Sequence, residues 1–224
     1  MPRKAPRSRH SNYTSPTDMT KNVFLYIPNI IGYIRLLLLF VAYFYFERWQ
    51  TMFIIIYTIS MILDGVDGYA ARKLNQVSAF GAWFDVVIDN IGRAMIWSRL
   101  FHWGWFVPCI EWCVFACTHS QYGGDWKTRF ENAPFLVRKV MANGFKSPLG
   151  ILVILGIHVL PVWMYGHYTK VLWVTFKVPL LLQFLVIAVL SAGRAVGMAV
   201  ECWVIWTYVK ALAKEVGNER EETS

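Results

Sequence analysis

The chain has 224 residues and a mass of 26.0 kDa, and 56% of its residues are hydrophobic, 17% aromatic and only 16% charged. Soluble domains usually have about a quarter of their residues charged, and several apolar blocks here approach or exceed the ~20 residues that cross a bilayer. These features exclude a soluble enzyme and a disordered binding protein. The net charge of +8 does not indicate a nucleic-acid partner, because the basic residues gather beside the apolar blocks. We therefore predict an all-α, polytopic membrane protein surrounded by membrane lipids.

Six apolar segments are predicted to be spanning helices, with approximate bounds at residues 23–46, 50–71, 79–103, 105–122, 148–166 and 177–210. They predict a membrane domain over residues 23–210, between a flexible basic tail at residues 1–22 and a charged tail at residues 211–224. Lys and Arg residues in the first tail and in the 123–147 connection predict that both are cytosolic. An even number of crossings then places the C-terminus in the cytosol as well.

Four aspartates stand at the predicted cytosolic ends of the second and third segments. Asp64 and Asp67 are three residues apart, and Asp85 and Asp89 are four apart, so each pair shares one face of a helix. A rise of ~1.5 Å per residue places Asp64 and Asp85 roughly 9 Å below the membrane surface. Because the connecting turn is short, the helices are antiparallel neighbours and the two pairs can meet.

Carboxylates at this depth need a counter-charge, because each ionised aspartate in a spanning helix costs about 2.5–3.5 kcal/mol. Arg72 and Lys73 cannot neutralise four carboxylates, and like charges on facing helices would be protonated unless cations lay between them. All-oxygen ligation favours Mg²⁺, Mn²⁺ or Ca²⁺ over zinc, and two divalent ions would balance the four charges. The sequence therefore predicts a two-metal site, an arrangement that clamps phosphoryl oxygens.

Glycines beside the aspartates also favour a phosphate ligand, because glycine costs a helix interior about 1 kcal/mol relative to alanine. Gly68 directly follows Asp67, and Gly81 lies near the start of the next segment, so both would let a ligand approach the backbone closely. Arg72 lies at the predicted water boundary, where its planar guanidinium suits phosphate oxygens.

Other ionisable residues lie deeper in the apolar segments. For Arg35 two interpretations are open, snorkelling to the membrane surface or a structural hydrogen bond. A further group is predicted to face the interior of the bundle, where pairing lowers the cost of burying charge. Its members are Arg93, Glu111, Arg194 and Glu201.

The residues between the two aspartate pairs resemble the signature of the CDP-alcohol phosphatidyltransferase family: DxxDG, two residues, AR, eight residues, G, three residues, D, three residues, D. The segments PNIIGYIR and AARKLNQ resemble the eukaryotic phosphatidylinositol synthase branch in particular, and the likeness covers about residues 22–91. All eight fixed positions of the signature are present within 26 residues: Asp64, Asp67, Gly68, Ala71, Arg72, Gly81, Asp85 and Asp89.

The resemblance implies a six-helix fold and a metal-dependent reaction. Asp64, Asp67 and Asp85 would ligate two Mg²⁺ or Mn²⁺ ions, and Asp89 would help to hold one ion and act as the general base. The CDP group of CDP-diacylglycerol would be bound by Asn29, Gly68, Ala71, Arg72 and Gly81. The implied products are CMP and, with myo-inositol as the expected acceptor, phosphatidylinositol. Further implications are residence in the endoplasmic reticulum and a homodimer.

The acceptor side departs from this branch, so other functions stay open. Asn90 stands where the branch usually has Arg, and Glu111 is followed by Val114 and Phe115 where the branch has a Ser-His pair. Arg93, one turn after Asp89, is the candidate for the acceptor pocket. The alternatives are the same chemistry with glycerol 3-phosphate, serine or a phosphatidylglycerol, and transfer from CDP-choline or CDP-ethanolamine to diacylglycerol. A catalytically silent paralogue that binds CDP-lipid is a third alternative.

Overall fold

The computed structural model describes residues 23–122 and 133–222, with side chains described for 23–118 and 133–213. These residues form α-helices and no strand, so the predicted all-α class is confirmed for this part of the chain. The predicted tail at residues 1–22 lies outside the described residues, as do residues 123–132 of the predicted cytosolic connection. In chain order the helices are α1 Ile27–Tyr45, α2 Gln50–Lys73, α3 Ala79–Leu100, α4 Phe106–Tyr122, α5 Phe135–Met141, α6 Pro148–Tyr168, α7 Val171–Val174 and α8 Leu180–Glu222.

Each predicted segment corresponds to one long helix, and most bounds differ by only a few residues. The main difference is at the end of α8, which continues to Glu222, so the predicted tail from residue 211 begins as helix. The two short helices α5 and α7 were not predicted, because seven and four residues are too few to show a helical period.

Four helices of the described residues are long and apolar enough to cross a membrane: α1, α2, α6 and the Leu180–Ala213 part of α8. They indicate an integral membrane protein. The predicted count of six spans is not confirmed. α3 has 22 residues but carries four charged side chains, and the apolar part of α4, Phe106–Thr118, is short.

The turn between α2 and α3 is tied to the start of α1. Asn75 in this turn has a left-handed φ of 54°, and the Ser78 hydroxyl then caps α3 by accepting a hydrogen bond from the Gly81 N–H at 3.0 Å. The Gln76 side-chain oxygen accepts a hydrogen bond from the Ile27 N–H at 2.9 Å. As a result, the beginning of α1, the end of α2 and the beginning of α3 lie side by side.

The helices form two packed groups that share α6. α1 packs along α2 and contacts α3, whereas α6 packs along α8 and also contacts α3. The first group has an aromatic core, and the Tyr165 hydroxyl of α6 donates a hydrogen bond to the Phe46 carbonyl just after α1. Valines fill the core between α5, α6 and α8: Val137, Val140, Val153, Val200 and Val204.

α6 and α8 meet backbone to backbone at two glycines. A Cβ atom at Gly156 would lie 2.5 Å from the backbone N of Arg194, and one at Gly193 would collide with the Leu152 carbonyl. Small residues allow such close approach between membrane helices. The contact also fixes the height of His158 on α6 relative to Arg194 on α8, and both side chains belong to the polar interior described below.

We expect Gly156→Ala to destabilise the protein by about 1–3 kcal/mol, because the added methyl group must push the two helices apart. This loss should outweigh the ~1 kcal/mol that alanine gains over glycine in a helix. The midpoint of unfolding in detergent measures the effect. The control is Leu155→Ala, since Leu155 is 42% exposed on the outer face of α6. Equal midpoints for the two variants would contradict the close packing.

Candidate functional site

The four aspartates of α2 and α3 come together around the side chain of Arg35 from α1. Arg35 Nη1 lies 2.7 Å from Asp67 Oδ2 and 2.6 Å from Asp85 Oδ1. Arg35 Nη2 lies 2.7 Å from Asp64 Oδ1 and 2.7 Å from Asp89 Oδ1. Each terminal nitrogen therefore joins one carboxylate of α2 to one carboxylate of α3.

Arg35 is only 1% exposed, and its guanidinium points into the bundle. Its backbone carbonyl accepts a hydrogen bond from Ser60 Oγ at 3.2 Å, whereas its Nε has no hydrogen-bond partner among the described residues. Of the two interpretations left open by the sequence, snorkelling is therefore wrong. The charge argument from Arg72 and Lys73 was also incomplete, because it left out this internal cation. Depth in the membrane could have revealed this contact. Arg35 lies eight residues after the start of α1, and Asp64 lies nine residues before the end of α2, so the two residues are at similar depths.

Three of the aspartates are close enough to hold a metal ion together. Carboxylate oxygens of Asp64, Asp67 and Asp85 all lie within 4.8 Å of one another. Asp67 is buried, whereas the side chains of Asp64 and Asp85 are partly open. Such an all-carboxylate set suits hard cations such as Mg²⁺, Mn²⁺ or Ca²⁺. Asp89 lies outside this group of three, and its Oδ2 contacts His158 of α6.

The residues predicted to bind the CDP group line one cavity of about 330 Å³ beside the aspartates. This volume is within the range of about 300–1,000 Å³ that is usual for small-molecule sites. Asp67 and Asp85 form part of its wall, and a Cβ atom at Gly81 would lie 2.9 Å from Asn29 Oδ1. The predicted residues found in the lining are Asn29, Gly68, Ala71, Arg72 and Gly81.

A second group of buried charges connects α3, α4 and α8. Arg93 Nε donates to Glu111 Oε2 at 2.7 Å, and Arg93 Nη2 donates to Asn90 Oδ1 at 2.5 Å. Arg194 donates to Glu111 Oε1 at 3.3 Å and to Glu201 Oε2 at 2.9 Å. The prediction that Arg93, Glu111, Arg194 and Glu201 face the interior and pair there is confirmed.

Asp89 joins the two groups of charges. Its Oδ2 lies 2.9 Å from His158 Nε2 and 3.4 Å from Arg93 Nη1, while its Oδ1 contacts Arg35. His158 Nδ1 lies 3.0 Å from the Ile154 carbonyl, which orients the imidazole ring. The sequence alone did not indicate a role for His158, because a single histidine in an apolar segment does not reveal that its helix packs against α3.

Arg93 borders a second cavity of only about 20 Å³, together with Asp89, His158, Tyr57 and Ser60. This volume is close to that of a single water molecule. Each of the three guanidinium nitrogens of Arg93 already has a partner: Glu111, Asp89 with His158, and Asn90. The structure thus places the predicted acceptor residue beside Asp89, in a closely packed environment.

Part of the chain is similar to proteins that are named CDP-diacylglycerol–inositol 3-phosphatidyltransferase. The chain is 47% identical over 77 residues to the probable CDP-diacylglycerol–inositol 3-phosphatidyltransferase 2 of Arabidopsis thaliana, an alignment that covers 34% of each chain. It is 38% identical over 105 residues to CDP-diacylglycerol–inositol 3-phosphatidyltransferase of Saccharomyces cerevisiae, covering 47% of this chain and 46% of the relative. For the human protein of that name, identity is 38% over 70 residues, or 31% of this chain and 33% of the relative.

These alignments span between about a third and about a half of the relatives' length. No solved structure matches the chain. A much longer stretch, residues 25–212, matches the family model described as CDP-alcohol phosphatidyltransferase, and this stretch includes both groups of buried charges and the cavity beside them. The chain therefore belongs to the CDP-alcohol phosphatidyltransferase family.

Proposed function

We propose that the protein transfers the phosphatidyl group of CDP-diacylglycerol to myo-inositol, giving phosphatidylinositol and CMP. The main support is the position of the 330 Å³ cavity, which is lined by the five predicted nucleotide residues and walled by Asp67 and Asp85. A nucleotide in this cavity would have its phosphates beside the carboxylates. The inositol acceptor is supported by the names of the relatives.

We propose Mg²⁺ or Mn²⁺ as the cofactor, held by Asp64, Asp67 and Asp85 with help from Asp89. The donors fit this cofactor, because they are carboxylate oxygens. The charges also fit: the two connected groups contain six carboxylates and three guanidinium groups, which leaves an excess of three negative charges when all are ionised. When bound, divalent ions supply positive charge that stabilises the pyrophosphate oxygens during displacement.

The other proposed roles belong to residues at known places around the cavity. Arg72 lies exposed at its edge, where its guanidinium can bind phosphate oxygens from the water side. Gly81 leaves space in the cavity beside Asn29, because it has no side chain. Asp89 accepts the proton of the acceptor hydroxyl as that oxygen attacks the β-phosphorus, and the bond between this phosphorus and the oxygen of CMP breaks.

We propose that α3 and α4 also cross the membrane, which gives six spans with both termini in the cytosol. At ~1.5 Å per residue, the 22 residues of α3 measure about 33 Å and suffice for a ~30 Å hydrocarbon layer. Three of its charged side chains, Asp85, Asp89 and Arg93, pair with charges of opposite sign in the bundle, which lowers the cost of placing them in a membrane. We also propose, from the family resemblance, that the protein resides in the endoplasmic reticulum and forms a homodimer.

The acyl chains of CDP-diacylglycerol could lie in an apolar groove beside the nucleotide cavity. An apolar groove of about 1000 Å³ runs between α1 and α3, lined by residues such as Leu37, Phe40 and Met95. Leu37 and Phe40 are largely exposed, so the groove faces the lipid phase. Its lining includes Tyr33, which directly follows Gly32 in the wall of the nucleotide cavity. A lipid could therefore keep its chains in the groove and its headgroup in the cavity.

The direct test supplies purified protein with CDP-diacylglycerol, Mn²⁺ and a panel of labelled alcohols. We expect phosphatidylinositol and an equal amount of CMP with inositol, and loss of both on chelation of the metal. The panel includes serine, glycerol 3-phosphate and phosphatidylglycerol, and a second arm supplies CDP-choline or CDP-ethanolamine with diacylglycerol. Product from another pair would reassign the substrates, and no product from any pair would leave the silent paralogue as the better description.

Asp89→Asn should lower kcat by about 10²–10⁴-fold, because the amide cannot accept the proton. Binding of CDP-diacylglycerol should change only a few-fold, since Asp89 does not line the nucleotide cavity. Turnover and equilibrium binding are measured on the same preparation. Glu47→Gln is the control, because Glu47 pairs with Arg99 away from the site. Equal losses of turnover and binding in Asp89→Asn would make Asp89 chiefly a metal ligand.

Gly81→Val should abolish binding of CDP-diacylglycerol, because its side chain would fill the cavity beside Asn29 and Ser78. The matched control is Gly65→Ala, where a Cβ atom would meet nothing within 4 Å and which is not a fixed position of the signature. Binding is measured by displacement of labelled CMP. Unchanged binding by a folded Gly81→Val protein would show that the nucleotide lies elsewhere.

A further inference from the structure

Arg35 makes contacts that two bridging cations would otherwise make. Its Nη1 joins Asp67 to Asp85, and its Nη2 joins Asp64 to Asp89, all at 2.6–2.7 Å. Each positive end therefore links one carboxylate of α2 with one of α3. A pair of divalent ions between the same two helices would use carboxylates from both sides in the same way.

The oxygens of Asp89 show why the two kinds of cation conflict. Asp89 Oδ1 lies on Arg35, and Asp89 Oδ2 lies on His158 and Arg93. Both oxygens are therefore engaged by side chains among the described residues. A metal ion that takes Asp89 competes with these partners for its oxygens, and Arg35 is the partner that also contacts the other three aspartates.

Repulsion between positive charges also makes Arg35 and a metal ion compete for the site. A guanidinium that stayed among the four carboxylates would stand a few ångströms from any ion bound to Asp64, Asp67 and Asp85. Repulsion at that distance is strong on the side of the site formed by Arg35, which is only 1% exposed to solvent. An ion and the Arg35 guanidinium therefore cannot both be held tightly by the same oxygens.

We propose that Arg35 is an internal competitor of the catalytic metal ions, and that metal binding is an exchange in which the guanidinium gives up carboxylate oxygens. Arg35 holds the two aspartate pairs together when the ions leave, and the work of displacing it sets the metal affinity. The inference rests on the metal-dependent function proposed above. Its test uses metal binding and stability, so its failure can be told apart from the failure of that function.

The test compares the full chain with Arg35→Gln and Arg99→Gln in detergent, with free Mn²⁺ followed by electron paramagnetic resonance. We expect Arg35→Gln to bind Mn²⁺ at least about tenfold more tightly than the unsubstituted protein, because a nearby positive charge has been removed. Arg99→Gln should bind Mn²⁺ as the unsubstituted protein does, since Arg99 pairs with Glu47 outside the cluster. Arg35→Lys keeps one charge but cannot bridge both pairs, so its affinity should lie between the two.

Stability provides the second measurement. Without metal, Arg35→Gln removes the cation that the four carboxylates share, and among the described ion pairs only Asp89 keeps a second arginine, Arg93. The unfolding midpoint should therefore fall well below that of the unsubstituted protein. Saturating Mn²⁺ should raise this midpoint by more than it raises the midpoint of the unsubstituted protein. If Arg35→Gln cannot be purified without metal, the same expectation requires that it folds in Mn²⁺ and unfolds on chelation.

A fixed organising role for Arg35 predicts the opposite results. Equal or weaker Mn²⁺ binding by Arg35→Gln, or failure to fold in saturating Mn²⁺, would overturn the exchange. Absence of Mn²⁺ binding in all variants would overturn it as well. Tighter binding by Arg35→Gln in a protein that makes no phospholipid would support the exchange while removing the proposed reaction.

Discussion

Pairing of charges inside an apolar bundle is the constraint on which this structure depends. Three arginines, Arg35, Arg93 and Arg194, each contact acids on more than one helix, and together they connect α1 to α8. Apolar faces alone specify helix orientation weakly in a membrane, because lipid is as apolar as leucine. Loss of one partner of a buried pair is costly, so these contacts fix which faces of the helices meet.

The site has two halves that the chain builds in different ways. The half that we propose binds the donor, called the donor half, comes from α1, α2 and α3, which follow one another in sequence and are tied at one turn by Gln76 and Ser78. The other half, behind Asp89, combines side chains from α3, α4, α6 and α8. The donor half contains a cavity of about 330 Å³, whereas the space beside Asp89 is about 20 Å³. A short motif can specify the first half, but the second requires the packing of distant helices.

This difference explains what the sequence could predict. Helical spacing and depth predicted that the four aspartates meet, and the family resemblance predicted that Asn29 and Arg72 bind one ligand; both residues line one cavity. Periodicity could not predict the partners of Arg35 and His158, because these depend on how α1 and α6 turn against α3. Hydropathy does not confirm the six predicted spans, because α3 carries four charged side chains and the apolar part of α4 is short.

Asp89 is the one residue in the described clusters whose carboxylate touches both halves. Arg35 contacts Oδ1, and by our proposal a metal ion can replace it there, while His158 and Arg93 contact Oδ2. The plane of the carboxylate is therefore set from both sides, which would orient Asp89 for its proposed role as the base. Glu111 accepts a hydrogen bond from Arg93 and another from Arg194, so under the proposed role of Asp89 both side chains would influence the reaction through Arg93 and Asp89. Acceptor-side substitutions should then alter the geometry of the base before they alter any direct contact with the donor nucleotide.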